Sequence, residues 1–246
     1  MDTEPGYAKT GIRGVDELLE GKGLPKGSLS YILGGPGSGK TTFGLQFLHA
    51  GAKKWNEPAI YVTMDEEIDK IKANAKKLGL DFEELEKEGK IAFIDIAPIR
   101  SLPGVSETLG RSGFTLSSLI GAISTTCAEL KAKRLVIDPI VSLTIQYPGR
   151  VERRNAVLEL MQALAATGCT CLLVTELSRT SIERPYQFEE FLAQGVMILR
   201  KVNLSSGGMA RVFHIEKMRG VNHDTQPHPY KIVQGGIEVY PSELAF

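Results

Sequence analysis

The chain has 246 residues, 42% of them hydrophobic and 24% charged. That is an ordinary globular composition and excludes a disordered, collagenous or coiled-coil chain. Lys+Arg and Asp+Glu each number 29, so any grip on nucleic acid would need a local basic patch rather than a basic domain. The length suits one large α/β domain or two small ones. No apolar run approaches the ~20 residues of a membrane-spanning helix, and the opening Met1-Asp2-Thr3-Glu4-Pro5 lacks a secretory signal pattern. Cys127, Cys169 and Cys171 form no disulfide framework. They are expected as small core residues in a reducing cytoplasm, Cys169 and Cys171 on one face of a buried strand and Cys127 on a helix's apolar stripe.

Along the chain, short β-branched runs alternate with stretches of helical period, the signature of a mostly parallel sheet with crossover helices. Strands are expected at Leu29–Gly34, Ala59–Thr63, Ile91–Ile96, Leu135–Ile137, Cys169–Thr175 and Val196–Leu199. Each is a nearly unbroken apolar run, as a strand covered on both faces should be. A helix is expected from Thr41 to about Lys54. Further one-face stripes run through Ile68, Ile71, Ala75 and Leu78, through Leu116, Leu119, Ile123, Cys127 and Leu130, and through Val157, Met161 and Leu164. The style then changes. Ala210–Met218 alternates, with Val212, His214 and Glu216 on one face and Phe213, Ile215 and Lys217 on the other. Leu199–Val202 precedes it, a Ser205-Ser206-Gly207-Gly208 turn intervenes and Ile237–Tyr240 follows, which reads as antiparallel strands at the sheet edge. The expectation is one α/β domain over residues 1–246, a parallel sheet with a C-terminal β-hairpin extension.

Gly34-Gly35-Pro36-Gly37-Ser38-Gly39-Lys40-Thr41 fits G-x-x-x-x-G-K-[ST] without a mismatch, between a strand and a helix. Its glycines let backbone N–H groups turn inward as an anion nest at a helix N-terminus. The nucleotide-binding residues are therefore Gly35, Pro36, Gly37, Ser38, Gly39, Lys40, Thr41 and Thr42. Lys40 reaches the β- and γ-phosphates, and the Thr41 hydroxyl is placed to ligate Mg²⁺. No N/T-K-x-D guanine motif occurs in the chain, which favours ATP.

Lys133-Arg134-Leu135-Val136-Ile137-Asp138 is a basic turn, an apolar strand and a terminal aspartate. Beside the phosphate-loop strand, Asp138 would stand near the Mg²⁺ shell and hold its waters. Elsewhere such an aspartate simply caps a turn. The acids Asp65, Glu66 and Glu67 follow Ala59–Thr63, at the carboxyl end of a strand where ligands bind in such sheets. One of them could orient or deprotonate an attacking water. Alternatively Asp65 caps the next helix and the two glutamates complement its dipole.

This order of motifs resembles the RecA superfamily, and within it the KaiC-like ATPases of archaea and bacteria, over essentially the whole chain. Thr10-Gly11-Ile12-Arg13-Gly14-Val15-Asp16-Glu17-Leu18-Leu19 and Gly23-Leu24-Pro25-Lys26-Gly27-Ser28 are similar to that family's lead-in to its phosphate loop. Tyr61-Val62-Thr63-Met64-Asp65-Glu66 resembles V-T-F-E-E, which implies Glu66, with Asp65 beside it, as the water-activating acids. Asp65 is a conservative departure. Glu216-Lys217-Met218-Arg219-Gly220 with His223 resembles K-[LM]-R-G-x-x-H. The resemblance implies that Lys217 and Arg219 reach across a ring interface to a neighbour's ATP, whereas local sequence reads them as solvent-facing charges on an edge strand. It also implies a RecA-like P-loop fold, ATP and Mg²⁺ as cofactors, and a homo-oligomeric, hexameric ring. The clock proteins of this family phosphorylate a Ser-Thr pair, and Glu190-Phe191 stands in its place, so no autokinase cycle is expected.

RecA-type recombinases hold single-stranded DNA with loops lining the filament axis. The matching stretch, about Gln146 to Arg154, contains Arg150, Arg153 and Arg154, which would either meet phosphates in a ring's channel or simply be exposed on the next helix's first turn. A second loop, Glu176 to Glu190, holds Arg179 and Arg184 among glutamates.

Overall fold

The computed structural model describes residues 6–96, 115–177, 186–203 and 207–245. Arg179, Arg184 and the Ser205-Ser206 part of the expected turn lie outside the described residues. Among the described residues eleven strands and eight helices follow one another, beginning with β1 (Tyr7–Ala8), α1 (Val15–Leu18), β2 (Leu24–Pro25), β3 (Leu29–Gly34), α2 (Lys40–Trp55), β4 (Ala59–Thr63), α3 (Ile68–Lys77), α4 (Glu83–Lys87) and β5 (Ile91–Asp95). After these come α5 (Leu116–Leu130), β6 (Arg134–Asp138), α6 (Val141–Thr144), α7 (Arg150–Ala166), β7 (Thr170–Glu176), α8 (Phe188–Leu192), β8 (Gly195–Asn203), β9 (Met209–Met218), β10 (His228–Val233) and β11 (Gly236–Val239).

Nine strands form one sheet in the order β11-β10-β9-β8-β3-β7-β6-β4-β5. From β8 to β5 every pairing is parallel, and from β8 to β11 every pairing is antiparallel. The unbroken apolar runs have a direct cause, because alternate residues face two separate cores. Ile32, Val136, Leu172 and Val174 point to one core with Phe43, Phe47 and Leu48 of α2. Leu33, Leu135, Ile137 and Leu173 point to the other with Leu119 and Ile123 of α5 and Leu160 and Leu164 of α7. The three cysteines are buried in this second core, with the Cys127 and Cys169 sulfurs 3.9 Å apart. Among the described residues no helix is long and apolar enough to cross a membrane.

Two features of the C-terminal extension depart from expectation. A further strand, β10, lies between β9 and β11, and Pro229 inside it hides its strand character in the sequence. It pairs with β9 only through His228 and Pro229. The strict alternation across Ala210–Met218 also breaks. Ile215 pairs with Met197 but Lys217 pairs with Val196, with a register shift between them. Met197 faces the first core and Val196 the second. The irregularity therefore turns Lys217 away from the face of Phe213 and Ile215, and Met218 takes its place in that core. Lys217 instead lines a cleft with Tyr186, Glu190 and Phe191.

Candidate nucleotide-binding site

The site is built at the carboxyl ends of β3, β6, β4 and β7, where the sheet hands its strands over to loops. Residues 35–39 turn β3 into α2, and the turn requires its glycines. Gly37 and Gly39 have φ of +65° and +95°, the left-handed region. A Cβ on Gly34 would lie 2.7 Å from the Leu199 carbonyl oxygen. Gly39 caps α2 without a side-chain bond, and no acid stands in the first turn. The amide donors and positive dipole end of α2 are thus left for an outside anion. Lys40 Nζ donates to the carbonyls of Gly34 and Gly35 at 2.7 and 3.1 Å, and Thr42 follows Thr41 half-buried in the first turn. Tyr230 OH donates to the Ser38 carbonyl, so β10 braces the loop from outside.

Asp138 is brought to Thr41 across 97 residues of sequence. Thr41 Oγ1 donates to Asp138 Oδ2 at 2.7 Å, and Tyr61 OH donates to the same oxygen at 2.8 Å. Burial pushes the Asp138 carboxyl above its ordinary value. The bonds from Thr41 and Tyr61 and the charge of Lys40 pull it back, and Asp65 nearby raises it again. Burial also lowers Lys40, against the attraction of Asp138 and Glu176. A desolvated carboxylate beside a hydroxyl is a hard-oxygen pair that suits Mg²⁺, and a divalent cation would offset the cost of burying that charge. The residues present fit the ion.

Thr63 is the register partner of Asp138, so Asp65 and Glu66 emerge beside it, both exposed. Thr63 Oγ1 donates to the Glu66 carbonyl at 2.7 Å and holds the turn. The capping reading of Asp65 is corrected: Glu67 is the N-cap of α3, without a side-chain bond, and Asp65 Oδ1 accepts from Ser142 Oγ at 2.6 Å. Glu67 pairs with Lys70 at 3.1 Å.

Lys217 and Arg219 are not brought to this cluster. Lys217 pairs with Val196, which pairs with Tyr31, three residues before Gly34. At about 3.3 Å per residue, its backbone lies ~10 Å below the loop's start, and Arg219 lies farther still. Arg219 Nη2 donates to the Phe191 carbonyl at 3.1 Å. Burial and the charge of Arg219 lower Lys217, and Glu190 opposes this. Arg150, Arg153 and Arg154 occupy the start of α7. Arg150 and Arg154 are exposed, while Arg153 donates to the Tyr147 carbonyl through Nε and Nη2, each at 3.3 Å.

Three residues of the site escape the sequence reading. Tyr61 reads as core, although a tyrosine inside a buried run needs a partner for its hydroxyl. Glu176 ends β7 in register with Gly34 and carries the same signal as Asp138, a charge closing an apolar strand. Tyr230 falls in the strand that Pro229 conceals.

Residues 8–244 match the family model of the KaiC ATPase. A UPF0273 protein of Thermotoga maritima is 34% identical, the match covering 96% of each chain. The circadian clock oscillator protein KaiC of Synechococcus elongatus is 34% identical over 95% of this chain, which spans 44% of that protein. The crystal structure of a KaiC-like protein from Pyrococcus horikoshii superimposes with a TM-score of 0.81 at 35% identity, covering 96% of this chain and 99% of that one. With the phosphate loop, the parallel sheet and these likenesses together, the chain belongs to the KaiC family of RecA-like ATPases.

Proposed function

We propose that the protein is a Mg²⁺-dependent ATPase that assembles as a homo-oligomeric, hexameric ring and hydrolyses ATP at sites shared between neighbouring subunits. The observation that carries this is the convergence of Lys40, Thr41 and Asp138 at the open N-terminus of α2, with Thr41 and Asp138 bonded at 2.7 Å. Lys40 and the loop amides of Gly35 and of Gly37 to Thr42 bind the phosphates. Bound Mg²⁺ would neutralise charge on the phosphate oxygens. Thr41 and Asp138 would hold it, and Tyr61 fixes the Asp138 carboxylate in orientation. Glu66 orients and takes the proton of the attacking water, with Asp65 beside it held by Ser142.

The position of two cations supports the ring reading. Lys217 and Arg219 lie toward the opposite end of the strands from their own phosphate loop, and in this reading they serve the loop of the adjacent subunit. Cations supplied in this way stabilise the charge of phosphoryl transfer and are worth ~10³–10⁵ in rate. The test is phosphate release by the purified protein with MgATP against Lys40→Ala. Turnover above that variant is expected, and equal rates would overturn hydrolysis.

A second reading, ATP-gated binding of single-stranded DNA as an accessory to recombination or repair, draws on the exposed Arg150 and Arg154. It requires salt-sensitive DNA binding that disappears when Arg150, Arg153 and Arg154 are neutralised. Salt-independent binding removes it. A non-hydrolysing, nucleotide-dependent scaffold would bind nucleotide without releasing phosphate.

A further inference from the structure

Strand β8 outruns its neighbour β3. Leu199 is the register partner of Gly34, where β3 gives way to the phosphate loop, yet β8 continues through Lys201 to Asn203. This overhang brings Lys201 to the loop's tip. Its Nζ donates to the Pro36 carbonyl at 3.2 Å, and a Cβ built on Gly37 would lie 3.0 Å from that nitrogen. Lys40 Nζ holds the two preceding carbonyls, those of Gly34 and Gly35. Two ammonium groups, one from α2 and one from β8, thus occupy three consecutive carbonyls of a single loop.

Four acids stand near the loop among the described residues. Asp138 and Glu176 both act on Lys40, and Asp65 and Glu66 stand at the adjacent strand end. A nucleoside triphosphate adds further negative charge here, and Lys40 is the only cation that the loop motif itself supplies. We propose that Lys201 is a second phosphate-binding cation, contributed by the same chain, that exchanges the Pro36 carbonyl for the terminal phosphate of a nucleoside triphosphate. In loops of this kind the amides cradle the α- and β-phosphates while the motif lysine reaches the β- and γ-phosphates. Lys201 shares its row of carbonyls with that lysine and so serves the terminal end. The exchange is favourable, because a bond between an ammonium and an anionic oxygen is roughly twice as strong as one to a neutral acceptor. Gly37 leaves the path open, since a side chain there would meet the amine.

This inference rests on the nucleotide-binding reading, and the experiment separates the two. Lys201→Met keeps the apolar stem and removes the charge, while Lys201→Arg keeps the charge. Each is titrated calorimetrically, beside the wild type, with Mg²⁺ and either ADP or a non-hydrolysable ATP analogue. Folding of each variant is verified by its circular dichroism. Lys201→Met is expected to weaken the triphosphate by about tenfold, the loss of one charge-assisted bond, while the ADP affinity changes less than about twofold; Lys201→Arg retains most of the preference. Equal weakening of both nucleotides, or none, would overturn the proposal and leave Lys201 as a clasp on the loop. A wild type that binds neither nucleotide would overturn the underlying reading instead.

Discussion

Replacing Asp138 with asparagine separates what this residue does for the fold from what it does for the ion. The side chain is 9% exposed, and both Thr41 and Tyr61 donate to its Oδ2. An amide of the same shape keeps an acceptor for both hydroxyls, relieves the buried charge and the repulsion from Asp65, and forfeits the attraction of Lys40. These terms oppose one another, so Asp138→Asn should change the stability of the ligand-free protein by no more than about 1 kcal/mol. The liganded protein behaves differently. MgATP at about 100 times its Kd adds ~2.7 kcal/mol, which at ~2–4 °C per kcal/mol for a chain of this length raises the Tm by about 5–11 °C. The assay is thermal unfolding of the wild type and Asp138→Asn without ligand, with ATP and EDTA, and with MgATP. The wild type should rise most with MgATP, and the variant should lose the magnesium-dependent part of that rise while its ligand-free Tm stays within a few degrees. A variant that keeps the full magnesium-dependent rise would refute Asp138 as an ion-holding residue, and a collapse of its ligand-free Tm would refute the balance of terms.

Other substitutions probe the fold and the loop separately. Arg134 is fully buried, paired with Glu57 at 2.6 Å, bonded to the Phe47 carbonyl at 2.8 Å and flanked by the rings of Phe47 and Trp55. Arg134→Met should cost about 3 kcal/mol in chemical denaturation, and adding Glu57→Gln should recover part of it; a loss below about 1 kcal/mol would contradict this. Gly39→Ala forces a left-handed residue to carry a Cβ 3.0 Å from Ile232 Cδ1, so it should lose about 1–2 kcal/mol and most of the nucleotide-induced rise in Tm. His49 packs edge-on against Phe82, and burial, with Lys53 adding to it, lowers its pKa below the ordinary 6.5. The unfolded chain therefore binds the proton more readily, and stability present above pH 6.5 is lost as pH falls through the depressed folded value. His49→Gln should flatten that decline in Tm, and identical slopes would exclude His49 as its source.

The parallel half of the fold was legible because its strands are covered on both faces, which leaves unbroken apolar runs such as Leu29–Gly34 and Ala59–Thr63 at the bounds observed. The loop and Asp138 were legible for a related reason, since each is a polar break at the end of such a run. The antiparallel extension was less so. Pro229 conceals a strand that pairs only briefly, and a register shift beside Val196 reverses the side of Lys217 while the residue pattern of Ala210–Met218 gives no sign of it. Tyr61 and Glu176 depend on which strands become neighbours, and Lys201 depends on one strand outlasting another. None of these is a property of a local window.

A ring ATPase of this kind requires that each active site be shared between subunits. Phosphate release is measured for Glu66→Ala and Arg219→Ala, separately and then mixed under conditions where subunit exchange is verified. Each alone should be nearly inactive, and the mixture should recover turnover, because an intact Glu66 in one subunit then faces an intact Arg219 from its neighbour. A mixture no more active than its parts would contradict the composite site and leave nucleotide binding without the ring mechanism.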